Sequence, residues 1–461
     1  MTENKRRTEK NLSKMKVAAV SLGCAKNLVD TEEVLALLLE SGAEIVADPS
    51  AADLIFINTC GFIEEAQQEA VNTLLEMAAL KKKNKQFLVA AGCLVEVFGN
   101  SLADSIPQVD GVIGTHGYRH LGRFLKMVVS GYKPYYRAKP ALSFRGLNSR
   151  VITSSKHSVN VRISEGCDNC CSYCLIPSIR GPYQSRKSED VVAEVRELLE
   201  NGTKEIVLIA QDTTAYGLNN KEGTLADLLE EILKIEGDFW LRIMYTYPSR
   251  IEERLLDLIS AEKRVCNYLD IPIQHADDHI LNKMGRHYTK NDLNCLIDRV
   301  RSKVPGIALR TTCMIGFPGE TIKEFSNLVD FIKNKPFENL GSFTYSQQAK
   351  TAAYSLPGKV AKRVARKRRN IIMSIQHELS FRHKLNLVGK IMVVLVDRAD
   401  PRRENYYHGR TEQQAPDVDG IVLLRSDKIL KPGDWVEAKI SAVSAYNLLA
   451  LQCRHLERLP S

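Results

Sequence analysis

Short apolar runs open the chain, VAAVSL (17–22), LIFIN (54–58) and FLVAA (87–91), and each is followed by a stretch of helical periodicity. This alternation predicts a parallel α/β layer, because parallel strands need a crossover and a helix supplies it. A second series follows: VNVRI (159–163), EIVLIA (205–210), FWLRIMY (239–245), NYLDIPI (267–273), GIALRTTCMI (306–315) and LGSFTY (340–345). Six βα units predict a partial, TIM-like barrel with its chemistry in the loops at the strand C-termini. From Lys359 to Lys384 the pattern is a basic helix leaving that barrel. Beyond it, IMVVLVD, YHGRTE, GIVLLR, DWVEAKIS and YNLLALQ read as short strands between turns, a small antiparallel barrel of OB-like type.

Residues 131–158 carry Pro, Gly, Ser and scattered cations without apolar periodicity, the mark of a linker. The expected partition is an α/β multidomain chain. Residues 14–130 form a parallel α/β domain, 131–152 a linker, 153–384 the partial (βα)6 barrel with its basic exit helix, and 385–455 the small β-barrel.

With 461 residues, 44% apolar and 26% charged, the chain has the composition of a soluble protein of two or three domains. No apolar run approaches the ~20 residues of a membrane span. The basic start, MTENKRRTEKNLSKMK, lacks the apolar core of a signal peptide, so a cytoplasmic protein without membrane contact is expected. The net charge of +9 points to nucleic acid or a ribonucleoprotein nearby. Its excess lies in the N-terminal tail and the 359–384 helix, which reads as a solvated face. The last domain is nearly balanced.

Eleven cysteines, an odd number without an export signal, imply metal or redox chemistry rather than a disulfide framework. The densest signal is GCDNCCSYC (166–174), directly after the first barrel strand. Cys167, Cys171 and Cys174 have the spacing C-x3-C-x2-C, and three thiolates on one tight loop can hold three corners of a four-iron cluster. The fourth iron is then open to chelate S-adenosylmethionine (SAM). A zinc site is the alternative, but structural zinc is normally closed by four ligands in two separated pairs, and no second pair follows. Cys24, Cys60 and Cys93 each end one of the three N-terminal apolar runs. Three thiols at the carboxyl ends of parallel strands would converge on one site, although a single cysteine is as readily a buried small hydrophobe.

The motifs SLGCAKNLVDTE (21–32), NTCGFIEEA (58–66), AGCLVE (91–96), SEGCDNCCSYCLIPSIRG (164–181), AQDTTAYG (210–217), YLDIPIQHA (268–276) and APDVDG (415–420) resemble those of the radical SAM methylthiotransferases. Within that family they are most similar to the RimO-type branch, which modifies an aspartate of small-subunit ribosomal protein S-twelve. The resemblance spans roughly residues 14 to 455. It implies two 4Fe–4S clusters, on Cys24, Cys60 and Cys93 and on Cys167, Cys171 and Cys174. It also implies a last domain of the TRAM type, and a transferase using two SAM molecules, one giving the methyl group and one the radical.

Tyr173, Gln211, Asp212 and Gly316 are the expected SAM contacts, and no side chain is assigned as general acid or base. The partners would be ribosomal protein S-twelve, free or ribosome-bound, together with an electron donor and a sulfur donor that the sequence does not identify. Two alternatives stand beside this: a tRNA adenosine methylthiotransferase, and a non-catalytic zinc-stabilised RNA-binding protein. Cys170 replaces a basic residue of the family pattern, and SQQAKTAAY (346–354) departs from it. Cys266, Cys295, Cys313 and Cys453 are expected as core thiols. Glu412, Asp417 and Asp419 are expected as loop carboxylates facing a basic partner.

Overall fold

The N-terminal apolar runs pair as one parallel sheet. Its strands are β1 (Lys16–Ser21), β2 (Glu44–Ile45), β3 (Leu54–Thr59), β4 (Phe87–Gly92), β5 (Gly111–Ile113) and β6 (Tyr135–Tyr136), in the order β2-β1-β3-β4-β5-β6. The computed structural model describes residues 12–81, 86–138, 150–220 and 223–459. Strands β3 and β4 are buried along their whole length, as a parallel sheet covered on both faces requires. Helix α1 (Ala25–Glu40) follows β1, α2 (Glu64–Leu80) follows β3, and α3 (Cys93–Phe98) follows β4.

The expected linker is in part ordered. Tyr135–Tyr136 adds an edge strand to β5, a two-residue element too short for any periodicity to reveal. Arg150 binds Glu32 of α1 at 2.5 Å, and Thr153 N–H donates to the same carboxylate at 2.8 Å. The linker's residues 139–149 and most of the basic N-terminal run lie outside the described residues.

The second series forms β7 (Ser158–Arg162), β10 (Glu205–Ile209), β11 (Trp240–Ile243), β12 (Tyr268–Asp270), β13 (Ala308–Ile315) and β14 (Asn339–Thr344). A small antiparallel pair, β8 (Ser164–Glu165) and β9 (Gln184–Ser185), frames the first loop. The six barrel strands divide into two parallel three-stranded sheets, β11-β10-β7 and β12-β13-β14. Side chains of β10 alternate between two cores, as strand geometry demands. Ile206 and Leu208 join the helix-facing core. Val207 and Ile209 face inward, with Trp240, Met244 and Tyr268.

Elements from both neighbouring domains close that inward space. Val29 of α1 packs into it, as do Leu395, Ala415 and Trp435 of the last domain, and the Trp240 and Trp435 rings meet edge-on at 4.5 Å. The basic exit helix, α5 (Lys362–Leu385), buries Ala365, Arg368, Ile372, Gln376, Ser380 and Lys384. This is a stripe at helical spacing, and it packs along β14. Arg363, Arg366 and Lys367 are exposed.

The last domain is a closed barrel of β15 (Ile391–Ala399), β16 (Tyr406–Arg410), β17 (Val422–Arg425), β18 (Trp435–Val443) and β19 (Leu448–Leu456), in the order β15-β16-β17-β19-β18. Its β17–β19 pair is parallel, so the barrel is not wholly antiparallel as expected. Closure joins the fifth strand to the third, and no hairpin links them to set their directions.

A buried ion network docks this barrel. Glu205 accepts from Arg242 at 2.7 Å and pairs with Arg410 at 2.7 Å, with the Glu205 and Arg242 side chains fully buried. Burial pushes the Glu205 carboxyl up, but the Arg410 and Arg242 guanidiniums outweigh it and hold the group at about 2. Its stabilising contribution is therefore complete above the unfolded value of about 4.3 and is lost as pH falls towards about 2. Replacing Glu205 by Gln should cost about 3–5 kcal/mol at neutral pH, because buried Arg242 loses its counter-charge and Arg410 is left with Asp397 alone. Urea denaturation from pH 7 down to pH 3 checks both points, with the variant showing the shallower pH dependence. Among the described residues no helix is long and apolar enough to cross a membrane.

Candidate functional site

The three N-terminal cysteines lie just past the ends of adjacent parallel strands. Cys24 caps α1, Cys60 follows β3 directly, and Cys93 opens α3 after β4. Their loops are in close contact. A Cβ on Gly23, whose φ is +90°, would lie 2.6 Å from Cys60 Cβ and 2.9 Å from its sulfur, so only glycine fits. A Cβ on Gly61 would lie 2.8 Å from the Cys93 carbonyl oxygen. Asn27 Nδ2 fastens the first loop to the second by donating to Leu22 O and Thr59 O, each at 2.9 Å. Cys24 is exposed, while Cys60 and Cys93 are buried.

The C-x3-C-x2-C loop is pinned from several sides. Cys174 N–H donates to Cys171 O at 3.0 Å, Cys167 N–H to Gly181 O at 3.2 Å, and Ser172 N–H to Met284 O at 2.9 Å. Ala353 N–H, from the divergent 346–354 segment, donates to Ser172 O at 2.7 Å. Arg286 Nη1 lies 3.7 Å from the Cys171 sulfur, and its guanidinium rests over the rings of Tyr247 and Tyr288. Cys170 is exposed with φ of +51°.

Tyr173 meets Phe317 edge-on at 6.4 Å within an apolar cluster. Gln211 Nε2 donates to Glu165 at 2.8 Å, while its Oε1 is buried without a hydrogen-bond partner among the described residues. Asp212 is engaged by Arg250 at 2.5 Å and Asn169 at 2.9 Å. Gly316 backs onto α5, where an added Cβ would meet Ala365 Cβ at 2.5 Å. Tyr245 and Gln274, both past the ends of barrel strands, hold positive φ of 59° and 64°. Such strain in non-glycine residues persists only where the surroundings enforce it, and it concentrates at functional sites.

The two triads meet across one layer of side chains. Leu175, the residue after Cys174, packs with Cys93 and Ile179 in one apolar cluster. Beside it lies a buried web that the sequence did not disclose. Arg162 pairs with Asp30, with Glu33 at 2.8 Å and with Glu165 at 2.9 Å, and Arg180 pairs with Asp30 at 2.7 Å and Glu165 at 3.3 Å. Burial raises the Glu165 carboxyl, yet Arg180 and then Arg162 bring it down to about 2. Lys26 reaches from α1 to the barrel, donating to Ala210 O at 3.0 Å with its ammonium 3.8 Å from the centre of the Tyr245 ring.

Burial pushes the thiols of Cys93 and Cys174 up to about 12 and that of Cys167 to about 11, so without metal they stay protonated at neutral pH. Iron would displace those protons, as metal binding to thiols does. Among the described residues no three His, Cys, Asp or Glu side chains are placed to hold one metal ion. A four-iron cluster needs a wider cradle, with one thiolate per iron. Three thiols on adjoining strand-end loops and three on one pinned loop suit that requirement.

Several expectations change. Glu412 and Asp419 do not face a partner. Glu412 Oε2 accepts from Asn267 N–H at 3.2 Å. Asp419, its side chain 2% exposed, accepts from Tyr268 Oη at 2.7 Å and lies 3.5 Å from Arg310. Both fasten the last barrel to the central one, and Asp417 alone of the three is exposed. Cys266 and Cys313 are buried, whereas Cys295 and Cys453 are exposed, on an outer helix face and on β19.

Comparison with known proteins agrees with this layout. Residues 16–114 match the Uncharacterized protein family UPF0004, 161–332 the Radical SAM superfamily, and 388–452 the TRAM domain. A "Ribosomal protein uS12 methylthiotransferase RimO" of Thermoanaerobacter sp. (strain X514) is 41% identical over 94% of this chain and 99% of its own length. The protein of the same name from Clostridium acetobutylicum is 42% identical over 95% of this chain and 98% of its own. Among solved structures, the radical S-adenosylmethionine methyltransferase TsrM from Kitasatospora setae, with cobalamin and a [4Fe-4S] cluster bound, aligns with TM-score 0.56 at 16% identity over 74% of each chain. The cobalamin-dependent radical enzyme OxsB aligns with TM-score 0.51 at 13% identity, over 80% of this chain and 56% of that one. At such identities the two share the fold alone. Near-full-length identity of about two residues in five, with all three domains present, means that the chain belongs to the RimO-type radical SAM methylthiotransferases, transferases that use 4Fe–4S clusters and SAM.

Proposed function

We propose that this chain adds a methylthio group to the β-carbon of an aspartate in ribosomal protein uS12. The observation that carries the reading is the approach of two cysteine triads from different domains, with Leu175, beside Cys174, packed on Cys93 between them. The names of the relatives support the substrate. When bound, a four-iron cluster at Cys167, Cys171 and Cys174 supplies the electron that cleaves SAM, and one at Cys24, Cys60 and Cys93 supplies the iron that holds the sulfur to be transferred.

The chain's own residues orient and enclose. Gln211 Oε1 offers an unpaired acceptor to a donor on SAM, with Glu165 holding the amide in place. Tyr173 offers an apolar wall backed by Phe317. Asp212 holds Asn169 inside the cysteine loop, which makes it a positioning residue on this reading. Gly316 brings the end of β13 against α5, and any SAM contact there is through backbone. Residues 14–130, 153–384 and 385–455 act as the sulfur-handling domain, the radical-forming domain and the TRAM domain, joined by 131–152. An electron donor and a sulfur donor complete the reaction.

The test is mass spectrometry of ribosomal proteins and tRNA from a deletion strain, with and without the gene restored. Loss of one methylthio mass increment from uS12 alone is expected. Loss of methylthio-adenosine from tRNA with uS12 unchanged would establish the tRNA-modifying reading instead.

A further inference from the structure

Helix α4 (Ile176–Arg180) has five residues, about 7.5 Å of axis at 1.5 Å per residue, and it touches both triads. At its start the Ile176 N–H donates to the Cys174 sulfur at 3.4 Å. At its end Arg180 Nη2 donates to the Cys93 sulfur at 3.4 Å and to Asn27 Oδ1 at 2.7 Å. The other terminal nitrogen of Arg180 pairs with Asp30 and Glu165, and Glu165 also accepts from the Gly166 N–H next to Cys167. The Arg180 side chain is 3% exposed, so its charge is little screened by water.

We infer that Arg180 is a positioning residue for sulfur chemistry at the N-terminal triad: it donates to the Cys93 sulfur, sets the charge felt there, and through α4 fixes that triad's separation from the C-x3-C-x2-C loop. This rests on Cys24, Cys60 and Cys93 being cluster ligands. Three thiolates carry a concentrated negative charge, and hydrogen bonds and net charge at cluster sulfurs set the reduction potential. A cation bonded to one ligand stabilises the reduced, more negative state and so raises the potential. The same guanidinium grips Asp30 of α1 and Glu165 of the barrel domain, so it ties the two domains together where their triads meet.

The test uses the full chain carrying Cys171→Ala, reconstituted anaerobically, so that the N-terminal site is read by itself in an EPR-monitored redox titration. Arg180→Gln, which retains N–H donors and loses the charge, should shift the midpoint potential to a more negative value. Arg180→Lys, which retains the charge, should lie nearer the parent. A potential unmoved in Arg180→Gln, with iron and sulfide content equal to the parent, overturns the inference. So does an equal shift in both variants, which would signal altered packing rather than lost charge. A parent chain holding no cluster at this site overturns the ligand assignment and this inference together, which separates that failure from the first two.

Discussion

Replacing Cys171 by Ala should abolish reductive cleavage of SAM and lower the iron content of the purified protein by about half, because one of the two four-iron sites loses a ligand. The structure indicates that the fold survives. The Cys171 carbonyl still accepts from the Cys174 N–H, the loop remains pinned at Ser172 by Met284 and Ala353, and Cys171, unlike Cys170, does not hold a positive φ that would strain Ala. What disappears is the thiolate beside Arg286. Anaerobic iron and sulfide assays together with 5′-deoxyadenosine formation measure the outcome. Formation at the wild-type rate would show that this loop does not carry the radical-forming site.

Cys60→Ala should have the opposite specificity, keeping 5′-deoxyadenosine formation while yielding no methylthiolated product. Cys60 lies in the N-terminal sheet domain, against the backbone of Gly23, and its sulfur is largely buried. Ala in its place leaves β3 and the radical-forming loop intact, and the lost sulfur costs the domain on the order of 1 kcal/mol. Thermal denaturation should therefore show a folded protein, with about half of the iron retained at the other site. Loss of both activities in a folded variant that keeps iron on Cys167, Cys171 and Cys174 would count against separate duties for the triads.

The placement of the cysteines at strand ends and in one loop was legible along the chain because it depends on local pattern. C-x3-C-x2-C is a spacing within one loop, and three thiols at the ends of apolar runs follow from strand periodicity and the rule that parallel strands expose one end to ligands. The six βα units and the closing β-strands were readable for the same reason. Two-residue β6 was not, since a pair of tyrosines has no period. Nor could the parallel β17–β19 pairing be read, because it is set by closure of the barrel rather than by a hairpin.

Tertiary structure decided everything that joins distant segments. Arg180 and Cys93 are 87 positions apart, and Arg162 and Asp30 are 132 apart, so no local signal marks them as partners. Glu412 and Asp419 lie in a polar loop, and only the docking of the last barrel on Asn267, Tyr268 and Arg310 turns them from solvated carboxylates into anchors between the two barrels. Sequence by itself determined on which elements the cysteines stand, since periodicity and spacing act over a few residues. Only the tertiary structure decided which charges face them, because burial and Coulomb pairing depend on three-dimensional separation and not on order along the chain.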